Sequence, residues 1–535
     1  MRHDIARALP GHVRVEEVQS GDQALSAKLS EGGRRLPINV LSNMTWMVLN
    51  GIVGAWYTPY LIRHLGIAVY GLVPLASSVT YYLTILTQGL NSAISRFLTV
   101  DLARDDIGAA NRTFNTSIVG GLTIVIVLLP LALVFSWFAP QVFDVPPGFE
   151  REAHSLMLFT TAAFTVTTFA STLAVFSYAY HRFDLRLLVN VIRLVTQMGS
   201  LLVLFTVLSP RLWQVGLGIF LSALVSLLGH GVLWRRLAPE LKIRLKLFDP
   251  SHLKQMLGFS GWVLVNQVGS LLFLNIDLIV ANLVFGAEVA GRYGAVLVLP
   301  TLLRTLVATV DDVLKPVILT LYAQNNPSRL LRVSCLSVKF IGLVTALPVG
   351  LICGLGKPLL TVWLGPEFAD LSWLVVVLVG HLCINVAVVP LFSLLLATGN
   401  VRIPGIVTLL MGVANTVLAV ALALWSGWGY ISIAIAGAIV LTAKNVLFTP
   451  LYSARILKLS WWTFLPSIII GIIGSLVVGV GAYWVSATWT LTSLWQLVLI
   501  GAIISGVYMV AMYFGGLNAD DRYLLKSEIQ RRLKR

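Results

Sequence analysis

Apolar residues run along this chain in long unbroken stretches, each closed by a short cluster of polar or turn-forming residues. Residues 403–443 and 459–519 contain no Lys, Arg, Asp or Glu. Each of these is long enough for two bilayer crossings, around the turns 426–430 and 486–490. A membrane-crossing helix takes about 20 apolar residues, whereas a membrane-crossing strand shows about 10 in alternation. The stretches here do not alternate, so they predict helices. Fourteen spans follow, near 37–60, 69–98, 112–139, 152–180, 186–208, 211–234, 253–285, 291–322, 330–353, 370–398, 402–425, 429–454, 460–485 and 490–516.

The pattern is interrupted most informatively between Gly258 and Ala323, two predicted helices joined by the turn 285–294. Within it lie Asp277, Arg304, Asp311, Asp312 and Lys315. An ionisable group at membrane depth costs about 2.5–3.5 kcal/mol even on lenient insertion scales. These side chains must therefore face a polar cavity, one another or a membrane surface.

Composition supports the same class. The chain is 57% hydrophobic and 11% charged, against about a quarter charged in soluble domains. The expectation is an all-α polytopic membrane protein. Cys335, Cys353 and Cys383 fall in predicted spans and read as packing residues. No removable signal peptide is read in the polar segment 1–36, which ends in Arg34 and Arg35 just before the first span.

The formal charge of +15 is placed asymmetrically. Counting Lys and Arg in alternate loops gives fifteen on one side, six of them between Arg235 and Lys254, and five on the other. The positive-inside rule puts the richer side, with both termini, in the cytoplasm. Every loop is short, which argues against a soluble catalytic domain and hence against a polysaccharide polymerase or glycosyltransferase. Nothing in the pattern points to nucleic acid, a metal site or a bound cofactor.

A weak internal repeat is visible. The segment His64-Leu-Gly-Ile-Ala-Val-Tyr-Gly71 after span 1 is echoed after span 7 by Val284-Phe-Gly-Ala-Glu-Val-Ala-Gly-Arg-Tyr-Gly294. Six spans separate the copies, so both insert with the same orientation, one of the standard plans of membrane transporters. The expected organisation is a cytoplasmic tail over 1–36, a six-helix lobe over 37–234 and a basic inter-lobe loop over 235–252. A second six-helix lobe over 253–455, two further helices over 456–516 and a basic amphipathic tail over 517–535 complete it. The tail is expected to lie on anionic membrane lipids.

These turns, with Thr398–Pro404, Gly412-Val-Ala-Asn415 and Gly427–Ala434, make residues 37–455 resemble the polysaccharide flippases. That superfamily also holds multidrug/toxin extruders and the lipid II flippase. The resemblance implies two six-helix bundles related by a pseudo-two-fold axis. It also implies movement of an undecaprenyl-pyrophosphate-linked oligosaccharide across the bacterial inner membrane by alternating access. Polysaccharide polymerase machinery is a compatible partner, and H+ or Na+ a compatible coupling ion.

Such a substrate needs cations for its pyrophosphate and polar or aromatic groups for its sugars. Arg suits phosphate by bidentate geometry and Lys as a point charge. Arg304, Lys444, Arg193, Lys315 and Arg96 are the candidate headgroup residues, with Lys339 a weaker one. Arg96, Lys315 and Lys339 lie toward span ends and could equally snorkel to the interface. Asp277, Asp311 and Asp312 are candidates for ion coupling or for cavity salt bridges, the latter two with Lys315 at helical spacing. Asn50, Gln88, Asn91 and Tyr81 in the first lobe, and Asn266, Gln267 and Asn275 in the second, are the candidate cavity lining. Helix–helix hydrogen bonding is the competing account of the amides. A cation-coupled extruder of the same superfamily is the competing function, and it would want a mainly acidic cavity.

Overall fold

The computed structural model describes residues 15–103, 106–180, 182–324, 326–516 and 518. All regular structure among them is helical. In a bilayer every backbone polar group must be satisfied within the protein, which helices do and open strands do not.

The first lobe comprises α1 (Val15–Leu65), α2 (Ile67–Ala103), α3 (Ile107–Val142), α4 (Glu150–Ala179), α5 (Phe183–Val207) and α6 (Leu212–Leu237). The second begins with α7 (Pro250–Leu274), α8 (Ile276–Phe285), α9 (Ala287–Val296), α10 (Val298–Ala323) and α11 (Pro327–Gly354). It continues with α12 (Gly356–Trp363), α13 (Ser372–Gly380), α14 (Leu382–Asn385), α15 (Val389–Ala397), α16 (Arg402–Trp425), α17 (Ile431–Ala443) and α18 (Thr449–Ile456). Two further helices follow, α19 (Leu465–Thr488) and α20 (Leu494–Ala511). Thirteen segments among the described residues are long and apolar enough to cross a membrane. They coincide with thirteen of the fourteen spans read from the sequence. The remaining one, 37–60, lies in the second half of the 51-residue α1.

Local chemistry sets the helix ends. Asp106 caps α3 by accepting from Ala109 N–H, and Asp249 caps α7 through Ser251 and His252. Asn326 caps α11 just ahead of Pro327, and Ser493 with Gln496 forms a capping box on α20. Side-chain oxygens here replace the partners that a first helical turn lacks.

Several spans are broken at membrane depth. Span 7 is interrupted at Asn275, between α7 and α8. Span 10 is interrupted at His381 and again over 386–388, between α13, α14 and α15. Span 12 contains a π-turn at Lys444–Phe448. Such interruptions are tolerated only where protein or a cavity satisfies the freed backbone.

Packing differs between the two sides of the membrane. On the side opposite the basic loops, one continuous core joins the lobes, drawing Leu61, Tyr70 and Leu75 from the first and Leu278, Tyr293 and Phe368 from the second. On the basic side the cores are separate. One is built around Phe114, Phe176 and Trp234 of the first lobe, the other around Ile318, Leu391 and Phe464 of the second. The lobes are thus sealed together at one face and packed largely on their own at the other.

The repeated turns meet at that seal. Gly66 and Gly286 both adopt positive φ, 82° and 88°, and each starts a new helix immediately afterwards. A Cβ on Gly71 would lie 2.7 Å from the backbone nitrogen of Gly291, and one on Gly294 would lie 2.9 Å from Pro74. The glycines let α2 and α9 touch main chain to main chain. Beside them, Asn282 donates to the Asp144 carbonyl (3.1 Å) and accepts from its N–H (2.9 Å). The Asp144 carboxylate in turn accepts from Ala287 N–H (2.7 Å), at the start of α9.

Helices α19 and α11 pack closely through Gly342 against Gly471, Gly350 against Val478, and Gly354 against Gly479. Small residues let membrane helices approach without a hydrophobic driving force. The three cysteines are free.

Candidate functional site

A tyrosine near the end of each repeated turn is buried and reaches back onto the preceding helix. In the first lobe Tyr70 donates to Thr58 (3.4 Å); in the second Tyr293 donates to Asp277 Oδ2 (3.1 Å). The acceptor is a neutral hydroxyl in the first lobe and a carboxylate in the second. Asp277 is 7% exposed, and its Oδ1 has no hydrogen-bond partner. It lines a narrow cavity with Arg304 and His381, walled by Phe273, Leu297 and Leu378. Arg304 interacts electrostatically with Asp277 without forming an ion pair. From the first lobe, Tyr82 also interacts electrostatically with Asp277, and its buried hydroxyl has no hydrogen-bond partner.

His381 is fixed from the far side by a chain of amides at the helix interruptions. Asn385 Nδ2 donates to His381 Nδ1 (2.6 Å) and to Thr442 (3.1 Å). Asn445, on the π-turn, donates to Asn385 Oδ1 (3.0 Å) and accepts from Thr449 (3.2 Å). Lys444 begins that π-turn, half-buried and in no ion pair among the described residues.

The first lobe brings Arg193, Trp46 and Tyr81 together. The Arg193 guanidinium lies 5.7 Å from the Trp46 ring centroid and interacts electrostatically with Tyr81, which is exposed. Arg186, one turn into α5, interacts with Asp312 of the opposite lobe. Buried His230 sits in the field of both arginines; its Nδ1–H donates to the Ser226 carbonyl (2.8 Å) and its Nε2 has no partner.

Lys315 is placed differently. It bridges Asp311 (3.2 Å) and Asp312 (3.0 Å), and buried Asp311 also accepts from Ser393 (3.1 Å). Its charge is therefore answered within its own helix. Lys339 is buried in α11. The side chain of Arg96, the tail 1–14 and nearly all of 517–535 lie outside the described residues.

Among the amides, Gln267 donates to Gln88 (2.8 Å), directly joining the lobes. Asn91 instead donates to Ser171 of α4 (2.8 Å), within one lobe. Asn50, Asn266 and Asn275 are half-buried, Asn275 at the break between α7 and α8.

Sequence reasoning overlooked Arg186, His230 and the Asn385–Asn445 pair. Arg186 falls at the very edge of the predicted span 186–208, where its charge reads as that of a loop cation. For His230, the available signal was a histidine one helical turn after Ser226 on a helix otherwise free of charge until its end. The amide pair sits 60 residues apart, where no local pattern reaches.

Breaks at membrane depth, two lobes sealed at one face and ionisable groups inside define a multi-pass membrane protein built on a transporter-type fold. The sequence profile of the family described as polysaccharide biosynthesis protein matches residues 38–321. A Bacillus subtilis (strain 168) protein described as the uncharacterized membrane protein EpsK is 32% identical over 450 residues, covering 84% of this chain and 88% of its own. The chain belongs to the polysaccharide biosynthesis protein family. Its fold is similar to the lipid II flippase MurJ in an inward closed conformation, with TM-score 0.66, 14% identity, and 88% and 98% of the two chains covered. It is also similar to an inward-facing multidrug resistance MATE family transporter, with TM-score 0.62, 15% identity, and 78% and 98% covered.

Proposed function

We propose that this protein is a flippase that moves an undecaprenyl-pyrophosphate-linked oligosaccharide across the bacterial inner membrane by alternating access between its lobes. The observation that carries this reading is the set of cations within the helices that no carboxylate holds in an ion pair, although Asp312 faces Arg186 and Asp277 faces Arg304 at longer range. Arg186, Arg193, Arg304 and Lys444 make no ion pair among the described residues. Unpaired charges at membrane depth are costly and are retained where they bind something. An anionic pyrophosphate is the complementary ligand, and Trp46 and Tyr81 beside Arg193 suit a sugar ring. The separate cores on the basic side fit an opening toward the cytoplasm, with both termini there and the seal at the outer face.

The open oxygen of Asp277, facing Arg304 and His381, is where a coupling H+ or Na+ would act. The same carboxylate is the feature that favours the competing reading, a cation-coupled extruder of cationic compounds. The test is a reconstituted flipping assay with a fluorescent undecaprenyl-pyrophosphate-linked oligosaccharide, comparing wild type with Arg304→Ala and Lys444→Ala. Flipping by wild type and its loss in the variants is expected. A folded wild type that flips nothing yet exports a cationic dye would replace the flippase by the extruder.

A further inference from the structure

The connection between the lobes carries a constellation that transport chemistry does not use. After α6 the chain runs along α3, and side chains of that helix satisfy its backbone. Lys242 N–H donates to Asn111 Oδ1 (3.0 Å), and the Lys242 carbonyl accepts from Asn115 Nδ2 (3.0 Å). Arg244 N–H donates to Asn115 Oδ1 (2.6 Å), and Asp249 N–H to Thr116 Oγ1 (3.2 Å). Two asparagines and a threonine thus do for this segment what a neighbouring strand does in a sheet. The linker is a fixed strap on α3, followed by a 3-10 turn at Leu245–Leu247.

Its side chains are free to point away. Lys242, Arg244 and Lys246 are exposed and make no ion pair among the described residues. Between them Ile243 is 51% and Leu245 59% exposed. Of the carboxylates at the strap's two ends, Glu240 is exposed and makes no ion pair among the described residues, and Asp249 is occupied by Ser251 and His252. In water this interleaving leaves aliphatic surface wet and like charges adjacent. At a lipid–water boundary it is favourable, because aliphatic groups enter the acyl region while cations stay with anionic headgroups. The strap lies where α3 begins, α6 ends and α7 begins, on the side richest in loop cations.

We propose that this strap is a binding site for anionic phospholipids of the adjoining leaflet. Lys242, Arg244 and Lys246 take the phosphates, and Ile243 and Leu245 enter the acyl boundary. Arginine offers phosphate a two-pronged donor and lysine a mobile point charge. The site is independent of which substrate the lobes carry. It also lies on the joint between them, since the strap is pinned to the first lobe and runs directly into α7 of the second.

The test uses the full-length chain, purified in detergent and titrated with phosphatidylglycerol or phosphatidylcholine under native mass spectrometry. Wild type is compared with Lys242→Gln/Arg244→Gln/Lys246→Gln and with Lys357→Gln on the opposite side. Each cation near an anionic surface gives about a fivefold gain in binding. The triple variant should therefore lose phosphatidylglycerol affinity by at least about tenfold, and Lys357→Gln should lose none. The Gln substitutions leave the backbone bonds to Asn111 and Asn115 in place, and an unchanged melting temperature verifies the fold. A second variant, Ile243→Ser/Leu245→Ser, keeps the charges and should weaken both lipids. Unchanged phosphatidylglycerol binding in the triple variant overturns the proposal. So does displacement of the lipid by millimolar inorganic phosphate, which would mark a free-anion site.

Discussion

Gln267 of the second lobe donates to Gln88 of the first across 2.8 Å, on the accessible part of the interface between α7 and α2. A neutral hydrogen bond of this kind contributes about 1 kcal/mol net. In a double-mutant cycle with Gln88→Ala and Gln267→Ala, thermal unfolding in detergent should give a coupling of about that size. A coupling near zero would mean that the contact holds nothing together.

Asn282 holds the backbone of Asp144 by two hydrogen bonds, and Asp144 holds the start of α9 by a third. Asn282→Ala leaves a carbonyl and an N–H without partners, at about 1–3 kcal/mol for each buried group. The expected result is a larger population open at the sealed face, read as longer distances between spin labels placed across it. Asn282→Asp should act in the same direction, since it loses the donor and sets a second carboxylate beside Asp144.

Gly71→Ala places a methyl 2.7 Å from the Gly291 nitrogen. Backbone cannot step aside as a side chain can, so overpacking of about 1–3 kcal/mol is expected as a lower melting temperature. Gly54→Ala is the control, because nothing lies within 4 Å of its added methyl. There the better helix propensity of alanine should raise stability by up to about 1 kcal/mol.

Asp277→Asn retains an acceptor for Tyr293 but removes the charge facing Arg304. Its melting temperature should stay near that of wild type, while any dependence of transport on a proton or sodium gradient disappears. Tyr293→Phe should do the reverse, losing about 1 kcal/mol of stability with the hydrogen bond and keeping the gradient dependence.

Asp249 is held below the ordinary aspartate range by the Ser251 hydroxyl and by the His252 N–H. A depressed folded-state pKa stabilises above the unfolded value, near 3.9, and that stability is lost as pH falls through the folded value. Acid should therefore loosen the start of α7, seen as faster amide exchange at Ser251 and His252. In Asp249→Asn the exchange protection should lack this acid transition.

The spans were legible because their signal is local: twenty apolar residues announce a helix whatever they pack against. The repeat was legible for the same reason, since Gly66 and Gly286 are each demanded by a positive φ in their own turn. Partners were not legible. Asp144 and Asn282 are 138 residues apart, and neither carries any mark of the other. The break at His381 has no proline beside it to signal it, and although Pro450 marks the end of the π-turn at Lys444–Phe448, nothing local shows that its Asn445 meets Asn385. Lys315 shows the limit within one helix: spacing allowed its two ion pairs, but only the fold decides that Asp311 is buried and Asp312 exposed.

The main-chain contact of Gly71 with Gly291 has a consequence for what leaks. A barrier made of side chains flickers as rotamers change on picosecond to nanosecond timescales, and each flicker can admit water or a proton. Glycines have no rotamers. At this one contact the seal opens only when whole helices part, which is a microsecond-to-millisecond event. Between such events a barrier of this kind stays closed to water and ions at that contact.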